Sequence, residues 1–113
     1  MDIQELQQEL DQLNYCDKDI LDFQIHYFGD EISMCIESSS DAFYWNVLFT
    51  SCLRVYYHTD ADWRGPLSVR QMRKTQLGYV AQSITVSESS DPGFYKITMD
   101  LSIAEVIIEC RNV

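Results

Sequence analysis

The sequence predicts an α+β domain, a single curved antiparallel sheet of about six to seven strands with an N-terminal helix and a short helical insert. From residue 20 onward apolar residues mostly alternate with polar ones, which is the period of a half-buried strand. Strand patterns follow one another with one short helical pattern between them, which favours an antiparallel sheet over βαβ units. The chain has 113 residues, 46% of them hydrophobic, and only four Gly and two Pro. It therefore fits one domain over residues 1–113.

The N-terminal helix is predicted over residues 2–13. One apolar stripe runs along it, formed by Ile3, Leu6, Leu10 and Leu13. Asp2 is a suitable N-cap, and Glu5 completes an acid-type capping pattern. Because the polar face lacks the Lys and Arg of a membrane-surface helix, we expect the stripe to cover the sheet.

Residues 20–37 predict a β-hairpin that turns at Gly29-Asp30. Alternation places Leu21, Phe23, Ile25 and Tyr27 on one side of the first strand. The hydrophobic face of the hairpin that is predicted to belong to the core consists of Phe23, Ile25, Ile32, Met34 and Ile36. The other side carries Asp22, Gln24, His26, Glu31 and Glu37. A polar loop over residues 38–41 follows.

The rest of the chain supplies the other strands and the insert. Residues 43–49 and 52–58 predict two strands, or one long bent strand. Residues 60–78 interrupt the pattern with a turn at Gly65-Pro66 and a short helix opened by Ser68 and Gln71. Further strands are expected over residues 80–86, 94–101 and 104–110. A loop separates the segment 80–86 from the segment 94–101.

Charge is concentrated in one part of the chain. The first 62 residues hold thirteen acidic side chains against two basic ones, Lys18 and Arg54, while the remainder is nearly balanced. A field of this sign repels nucleic acid and anionic membranes and steers cationic partners inward. We therefore expect a basic protein partner and neither nucleic acid nor membrane.

The four cysteines are scattered, with no CxxC pair, and the N-terminus lacks the basic and apolar segments of a signal peptide. We expect reduced thiols that act as small buried hydrophobes in a cytoplasmic protein. Structural zinc usually takes closely spaced pairs of ligands, so no metal or other cofactor is expected.

The densest polar cluster is His58, Asp60 and Asp62 at the end of a predicted strand. Alternate residues face one side there, so the three side chains present a candidate metal or acid/base set. An acidic solvated loop is the simpler interpretation, because a catalytic metal site needs about three protein ligands and nothing nearby in the sequence clearly completes such a site.

His26 is a second candidate, as a general base acting on Ser33 or Cys35 across the hairpin. The sequence shows no spacing that supports this pairing and no nucleophile or nucleotide-binding motif. A structural histidine is the simpler interpretation, and no catalytic residue is predicted.

Aromatic residues are frequent between residues 43 and 63. Strand alternation places most of them in the core, but Tyr44, Tyr56 and Trp63 fall off that phase or in a loop. Exposed aromatic rings beside acidic residues are typical of protein interfaces. The predicted partner-binding residues are therefore Asp22, Gln24, His26, Glu31, Glu37, Tyr44, Tyr56, Asp60, Asp62 and Trp63.

Four stretches, FGDEISMCIES, FTSCLRVYYHTD, MRKTQLGYVAQSITV and VIIECRNV, resemble in that order small α+β immunity proteins of secreted polymorphic toxin systems in Gram-positive bacteria. The resemblance covers nearly the whole chain. It implies a cytoplasmic, non-enzymatic protein that blocks a toxin domain through a tight stoichiometric interface. Acidic capture of a basic toxin agrees with the charge distribution.

Two alternatives from other classes stay open at this point. One is a small metal-dependent hydrolase-like enzyme that uses His58, Asp60 and Asp62. The other is a homo-oligomeric accessory domain that pairs through its edge strands. The sequence does not indicate the oligomeric state.

Overall fold

The computed structural model describes residues 2–38, 44–73 and 76–113. Its elements are α1 (Ile3–Asp11), β1 (Ile20–His26), β2 (Glu31–Glu37), β3 (Tyr44–Thr59), β4 (Tyr79–Glu88), β5 (Tyr95–Ser102) and β6 (Ala104–Asn112). Short 3₁₀ turns lie at Tyr27–Gly29, Asp62–Arg64 and Val69–Gln71. Within the described ranges the strands form one antiparallel sheet in the order β1-β2-β3-β6-β5-β4. The predicted α+β class is confirmed.

Strand β3 is one long bent strand, the second of the two forms that the sequence allowed. Its first part pairs with β2 over residues 44–49, and its second part pairs with β6 over residues 50–59. The change of partner coincides with Ser51, whose φ is 52°, and with a register shift between Cys52 and Arg54. Such irregularities bend a strand and increase its twist. The bend in β3 therefore curves the sheet.

The two outer strands of the sheet approach each other at one end. Asp19, just before β1, forms an isolated bridge with Val80 in β4. The amide of Ala81 donates to the carbonyl of Lys18 at 2.8 Å, and the amide of Asp17 donates to the carbonyl of Ala81 at 2.8 Å. The curled sheet is thus fastened to itself near the start of β1.

The core lies on the concave side of this curl, between the sheet and α1. Its members include Leu6, Leu10, Ile20, Ile32, Met34, Ile36, Val47, Phe49, Ile84, Ile97, Met99, Leu101, Val106 and Ile108. The helix begins as the sequence predicts, because the amide of Glu5 donates to Oδ1 of Asp2 at 2.8 Å. The helix stripe and the inner faces of β2 and β5 are confirmed as core.

Strand β1 departs from the predicted pattern. A register shift between Ile20 and Asp22 places Ile20 opposite Ile36, so Ile20 and not Leu21 enters the core. Tyr27 belongs to the turn and is exposed, and Ile25 is 48% exposed. The assignment of Ile25 to the core was wrong, because Ile25 lies next to the end of β1, which is an edge strand of the sheet.

One aromatic residue of strand β3 departs from the expected core position. Trp45 is exposed at the start of β3, and the apolar side chain of Leu53 is exposed at the register shift of the same strand. Cys110 is buried as expected, but Cys16 is exposed, in the connection between α1 and β1. Phe43 and most of the predicted loop over residues 38–41 lie outside the described residues.

The short helical insert is confirmed as the 3₁₀ turn Val69–Gln71, with a capping box between Ser68 and Gln71. Within the described part of the chain, no helix combines the length and hydropathy needed to cross a bilayer.

Candidate functional site

An open groove of about 750 Å³ lies on the outer face of the sheet, the side that points away from the core. We call it the acidic groove, because its lining includes the carboxylates of Asp60, Asp62, Asp100 and Glu105 together with His58 and Trp63. Among the described residues, no Lys or Arg lines it. The groove therefore presents four acidic groups, one imidazole and one large aromatic ring to the same volume.

Strand register builds the floor of the groove. His58 in β3 stands opposite Glu105 in β6, and Glu105 stands opposite Asp100 in β5. Side chains directly opposite each other in an antiparallel pair have Cβ atoms about 4.5–5.5 Å apart, and like charges there are destabilising. Asp100 gains one local hydrogen bond, from the amide of Ser102 at 2.9 Å. Asp100 and Glu105 therefore form a repulsive pair, which a cationic group in the groove would relieve.

A second row of the outer face differs in charge. It lies four residues further along each strand from the row of His58, Glu105 and Asp100. This second row consists of Arg54 in β3, Glu109 in β6 and Lys96 in β5, which stand side by side. Arg54 forms ion pairs with Glu109, at 3.2 Å, and with Asp91. A hydrogen bond from Ser89 and the nearby Arg54 lower the pKa of Glu109. Charges in this row compensate one another, whereas no ion pair among the described residues neutralises the carboxylates of the groove.

The segment after β3 forms one wall of the groove. The amide of Asp60 donates to the carbonyl of Ile103 at 2.9 Å, which ties the segment to the turn between β5 and β6. The carboxylate of Asp60 accepts from the amide of Asp62 at 3.2 Å and so supports the following 3₁₀ turn. Trp63 then projects from this turn with 51% of its surface exposed. The predicted residues Asp60, Asp62 and Trp63 therefore meet at one site.

Arg64 is the basic residue nearest to this wall in the chain, yet it does not line the groove. Its Nη2 donates to the hydroxyl of Tyr79 at 3.1 Å, and its guanidinium lies 5.8 Å from the centre of that ring. The same hydroxyl is 2.7 Å from Oγ1 of Thr59. Burial, and then the neighbouring Tyr79, raise the pKa of Tyr57. Arg64 is thus engaged by a hydroxyl cluster and leaves the groove acidic.

The other predicted partner-binding residues lie on a separate part of the outer face. Pairs across β1, β2 and the start of β3 join Asp22 to Cys35, Gln24 to Ser33, His26 to Glu31 and Glu37 to Tyr44. Tyr56 lies between the two parts, one row from His58 and opposite Ile107. The structure therefore places three of the ten predicted residues in the acidic groove and six on the outer side of the first hairpin and the adjoining start of β3, with Tyr56 between the two groups.

Asp19, at the start of this hairpin, is influenced by a neighbouring carboxylate. Burial, and then the carboxylate of Glu37, raise the pKa of Asp19. The two residues are joined through the backbone, because the amide of Glu37 donates to the carbonyl of Asp19 at 2.9 Å. This repulsion between like charges resembles that of the groove.

His26 does contact Ser33, as the catalytic hypothesis required. Its Nε2 lies 2.9 Å from the serine hydroxyl. The pair sits on the open side of a two-stranded hairpin, and neither residue lines the acidic groove. A serine nucleophile also needs a group that orients the histidine and donors for the oxyanion, and no described contact of His26 supplies the first of these. The contact fits a cross-strand hydrogen bond.

His58, Asp60 and Asp62 share the groove, but they do not form a metal site. Among the described residues no three His, Cys, Asp or Glu side chains are grouped closely enough to hold a metal ion. Catalytic zinc needs about three protein ligands. The metal-dependent alternative therefore lacks a ligand set in this part of the chain.

Comparison with protein families decides the class of the protein. A family model described as Immunity protein PIM7 matches residues 2–113. The chain belongs to this family. No curated protein matches it.

Membership in the Immunity protein PIM7 family confirms the resemblance seen in the sequence, and it implies that the chain binds and neutralises a protein toxin. Such a role depends on an exposed, complementary surface and needs no reaction centre. The acidic groove and the outer side of the first hairpin are both exposed surfaces.

Sequence reasoning missed two of the four carboxylates of the acidic groove. Asp100 and Glu105 both fall on the outward phase of their strands, so alternation identifies them as surface residues. Their position opposite His58 depends on the pairing of β6 with β3, which the sequence alone does not reveal. The exposed apolar side chains Leu48, Leu53 and Phe28 were also missed.

Proposed function

We propose that this immunity protein neutralises a basic toxin domain in the cytoplasm, and that the acidic groove receives cationic side chains of that toxin. The observation that carries the proposal is the set of four carboxylates in a groove to which the described part of the chain contributes no Lys or Arg. The family supports a protein toxin as the partner, and the charge of the groove supports a basic one.

The electrostatics of the free protein favour such a partner. Asp100 and Glu105 face each other across adjacent strands, so their mutual repulsion is part of the free energy of the unbound state. A Lys or Arg placed between them replaces repulsion with two attractive interactions. Complementary charge of this kind raises association rates to about 10⁸–10⁹ M⁻¹s⁻¹ at low salt.

Trp63 adds an apolar contact to the edge of the groove. Trp, Tyr and Arg dominate the energetic centres of protein interfaces. An indole ring beside carboxylates suits a partner arginine, because its guanidinium stacks on aromatic faces and forms paired hydrogen bonds with carboxylates. We therefore expect arginine more than lysine at this point of the toxin.

The test is the association rate with the toxin domain encoded beside this chain, in a catalytically inactive form. The groove variant carries Asp60→Asn, Asp62→Asn, Asp100→Asn and Glu105→Gln. At low salt we expect the groove variant to associate with the toxin domain at least tenfold more slowly than the unmodified protein. The two association rates should converge as salt shortens the Debye length to about 3 Å at 1 M.

A control variant removes the same number of charges elsewhere, with Glu5→Gln, Glu9→Gln, Asp17→Asn and Glu88→Gln, all at exposed positions outside the groove. A third variant neutralises Asp22, Glu31 and Glu37 on the first hairpin. Equal loss in the groove and control variants would assign capture to net charge alone. A reduced association rate in the third variant alone would show that the toxin binds the first hairpin and not the groove.

A further inference from the structure

The turn between β1 and β2 has an unusual backbone. Tyr27, Phe28 and Gly29 are three successive residues in the left-handed region, with φ of 50°, 58° and 103°. That region is ordinary for Gly and accessible to Asn, but a bulky aromatic residue there is a genuine outlier. Two such residues in succession impose strain on the hairpin turn.

Packing does not account for this strain. Phe28 is 110% exposed, more than in the extended reference peptide, and Tyr27 is 74% exposed. A large apolar side chain that the fold leaves wholly in water contributes nothing to the core. Strained residues that stability does not require are found mainly at functional sites.

The turn is nevertheless held firmly. The amide of Asp30 donates to the carbonyl of Tyr27 at 3.1 Å, and the amide of Cys52 in β3 donates to the carbonyl of Asp30 at 3.0 Å. Gly29 lies close against Val55, whose Cγ2 would be 3.7 Å from an added Cβ. The two rings are therefore presented from a fixed platform, and a binding group that is already ordered loses less entropy on association.

Charge around the turn indicates what kind of surface it meets. Residues 20–37 contain Asp22, Asp30, Glu31 and Glu37 but no Lys or Arg. A complementary surface has an apolar pocket for the rings and basic residues at its rim. Val55 packs against the core, whereas His58, three residues further along β3, faces the acidic groove, so the turn and the groove are two separate contact points for the toxin.

We propose that Tyr27 and Phe28 form a preorganised hydrophobic anchor, which inserts into an apolar pocket with a basic rim on the toxin domain. This inference rests on the proposed function, since the partner it names is the same basic toxin. It adds a second contact of different chemistry: the groove accelerates encounter, and the anchor slows dissociation.

The test is Phe28→Asn, with Phe28→Gly as a second variant, because both residues accept the left-handed conformation. Binding to the inactive toxin domain encoded beside the chain is measured by surface plasmon resonance, and thermal melting by circular dichroism. We expect an unchanged or higher melting temperature and affinity weakened by about 30-fold, mostly through faster dissociation. Leu67→Asn, at a position that is 52% exposed in another segment, serves as the matched control and should leave affinity within twofold.

The outcomes separate the two proposals. Unchanged affinity in both Phe28 variants, with the groove variant still impaired, overturns the anchor alone. Impaired Phe28 variants with an unimpaired groove variant support the anchor and overturn the groove. A concentration-dependent dimer of the unmodified chain that Phe28→Asn abolishes also overturns the anchor, since a second copy then occupies the turn. Polylysine, which offers charge without a pocket, should bind the Phe28 variants and the unmodified chain equally.

Discussion

The indole ring of Trp63 lies directly on Gly78, with no space between them for a side chain. An added Cβ at Gly78 would lie 2.8 Å from Cζ2 of Trp63 and 3.2 Å from its Cε2. Gly78 has a φ of +85° and comes immediately before β4. A glycine at the start of one strand thus sets the position of the aromatic residue at the edge of the acidic groove.

We predict that Gly78→Ala moves Trp63 and destabilises the protein by about 1–2 kcal/mol, the cost of a left-handed conformation for a residue with a Cβ. Because Trp63 is half exposed, the ring can shift instead of clashing. Urea denaturation measures the stability, and fluorescence in a Trp45→Phe background reports on Trp63 alone. An unchanged spectrum and unchanged stability would show that the ring does not rest on this glycine.

Phe23 provides a graded test of the edge strand. It is only partly buried, and its ring stacks on Tyr57 with centroids 5.1 Å apart. We expect Phe23→Ala to cost about 2 kcal/mol, below the 3–5 kcal/mol of a fully buried phenylalanine. Ile36→Ala, at a fully buried position, should cost about 2–5 kcal/mol, and Ile25→Ala less than about 1 kcal/mol. Equal losses at Phe23 and Ile25 would contradict the described register of β1.

Most of the fold could be predicted because the relevant signals are local. The apolar stripe of α1, the alternation in β2 and β5, and the capping pair of Ser68 and Gln71 each lie within a few residues. The predicted core of the first hairpin did not include Ile20, which enters the core because of a register shift between Ile20 and Asp22. Register shifts depend on the neighbouring strand, and a single sequence carries little information about them.

Only one wall of the acidic groove could be predicted from the sequence. Asp60, Asp62 and Trp63 are close in sequence, so composition and position identified them. Asp100 and Glu105 come from two other strands, and only the β3-β6-β5 order brings them to His58. The turn at Phe28 was missed for another reason, because the Gly29-Asp30 pair suggested a turn confined to those residues.

Asp19 gives a prediction for pH. Burial and the nearby Glu37 raise its pKa in the folded state above the usual value of 3.8. An acid with a raised folded pKa contributes stability that is complete below its unfolded pKa and is lost as pH rises through the folded pKa. We therefore expect Asp19→Asn to be more stable than the unmodified protein at pH 7, by less than about 1 kcal/mol because the group is partly screened by solvent.

The difference between Asp19→Asn and the unmodified protein should vanish as pH falls below about 3.8. Thermal melting between pH 3 and pH 7 measures it, and Asp17→Asn, at an exposed neighbouring position, controls for the loss of one charge. A constant difference across this range would mean that burial and Glu37 do not influence Asp19.

The free edge of β4 is covered by a side chain instead of a strand. Gln7 in α1 donates from Nε2 to the carbonyl of Ile84 at 2.8 Å and accepts at Oε1 from the amide of Val86 at 2.7 Å. The hydroxyl of Tyr15 lies within hydrogen-bond distance of the amide and carbonyl of Ile84. These contacts satisfy backbone groups that would otherwise be available to pair with the edge of another chain.

We predict that Gln7→Ala destabilises the protein by about 1–3 kcal/mol, because it leaves the partly buried amide of Val86 without this acceptor and removes one of the two side-chain donors to the carbonyl of Ile84. The exposed edge of β4 should also promote self-association, which sedimentation velocity at several concentrations would detect. Gln8→Ala is the matched control, since Gln8 is exposed on the same helix and alanine favours a helix. A monomeric Gln7→Ala protein with the stability of Gln8→Ala would contradict the protective role of Gln7, and it would assign the docking of α1 to Leu6 and Leu10 alone.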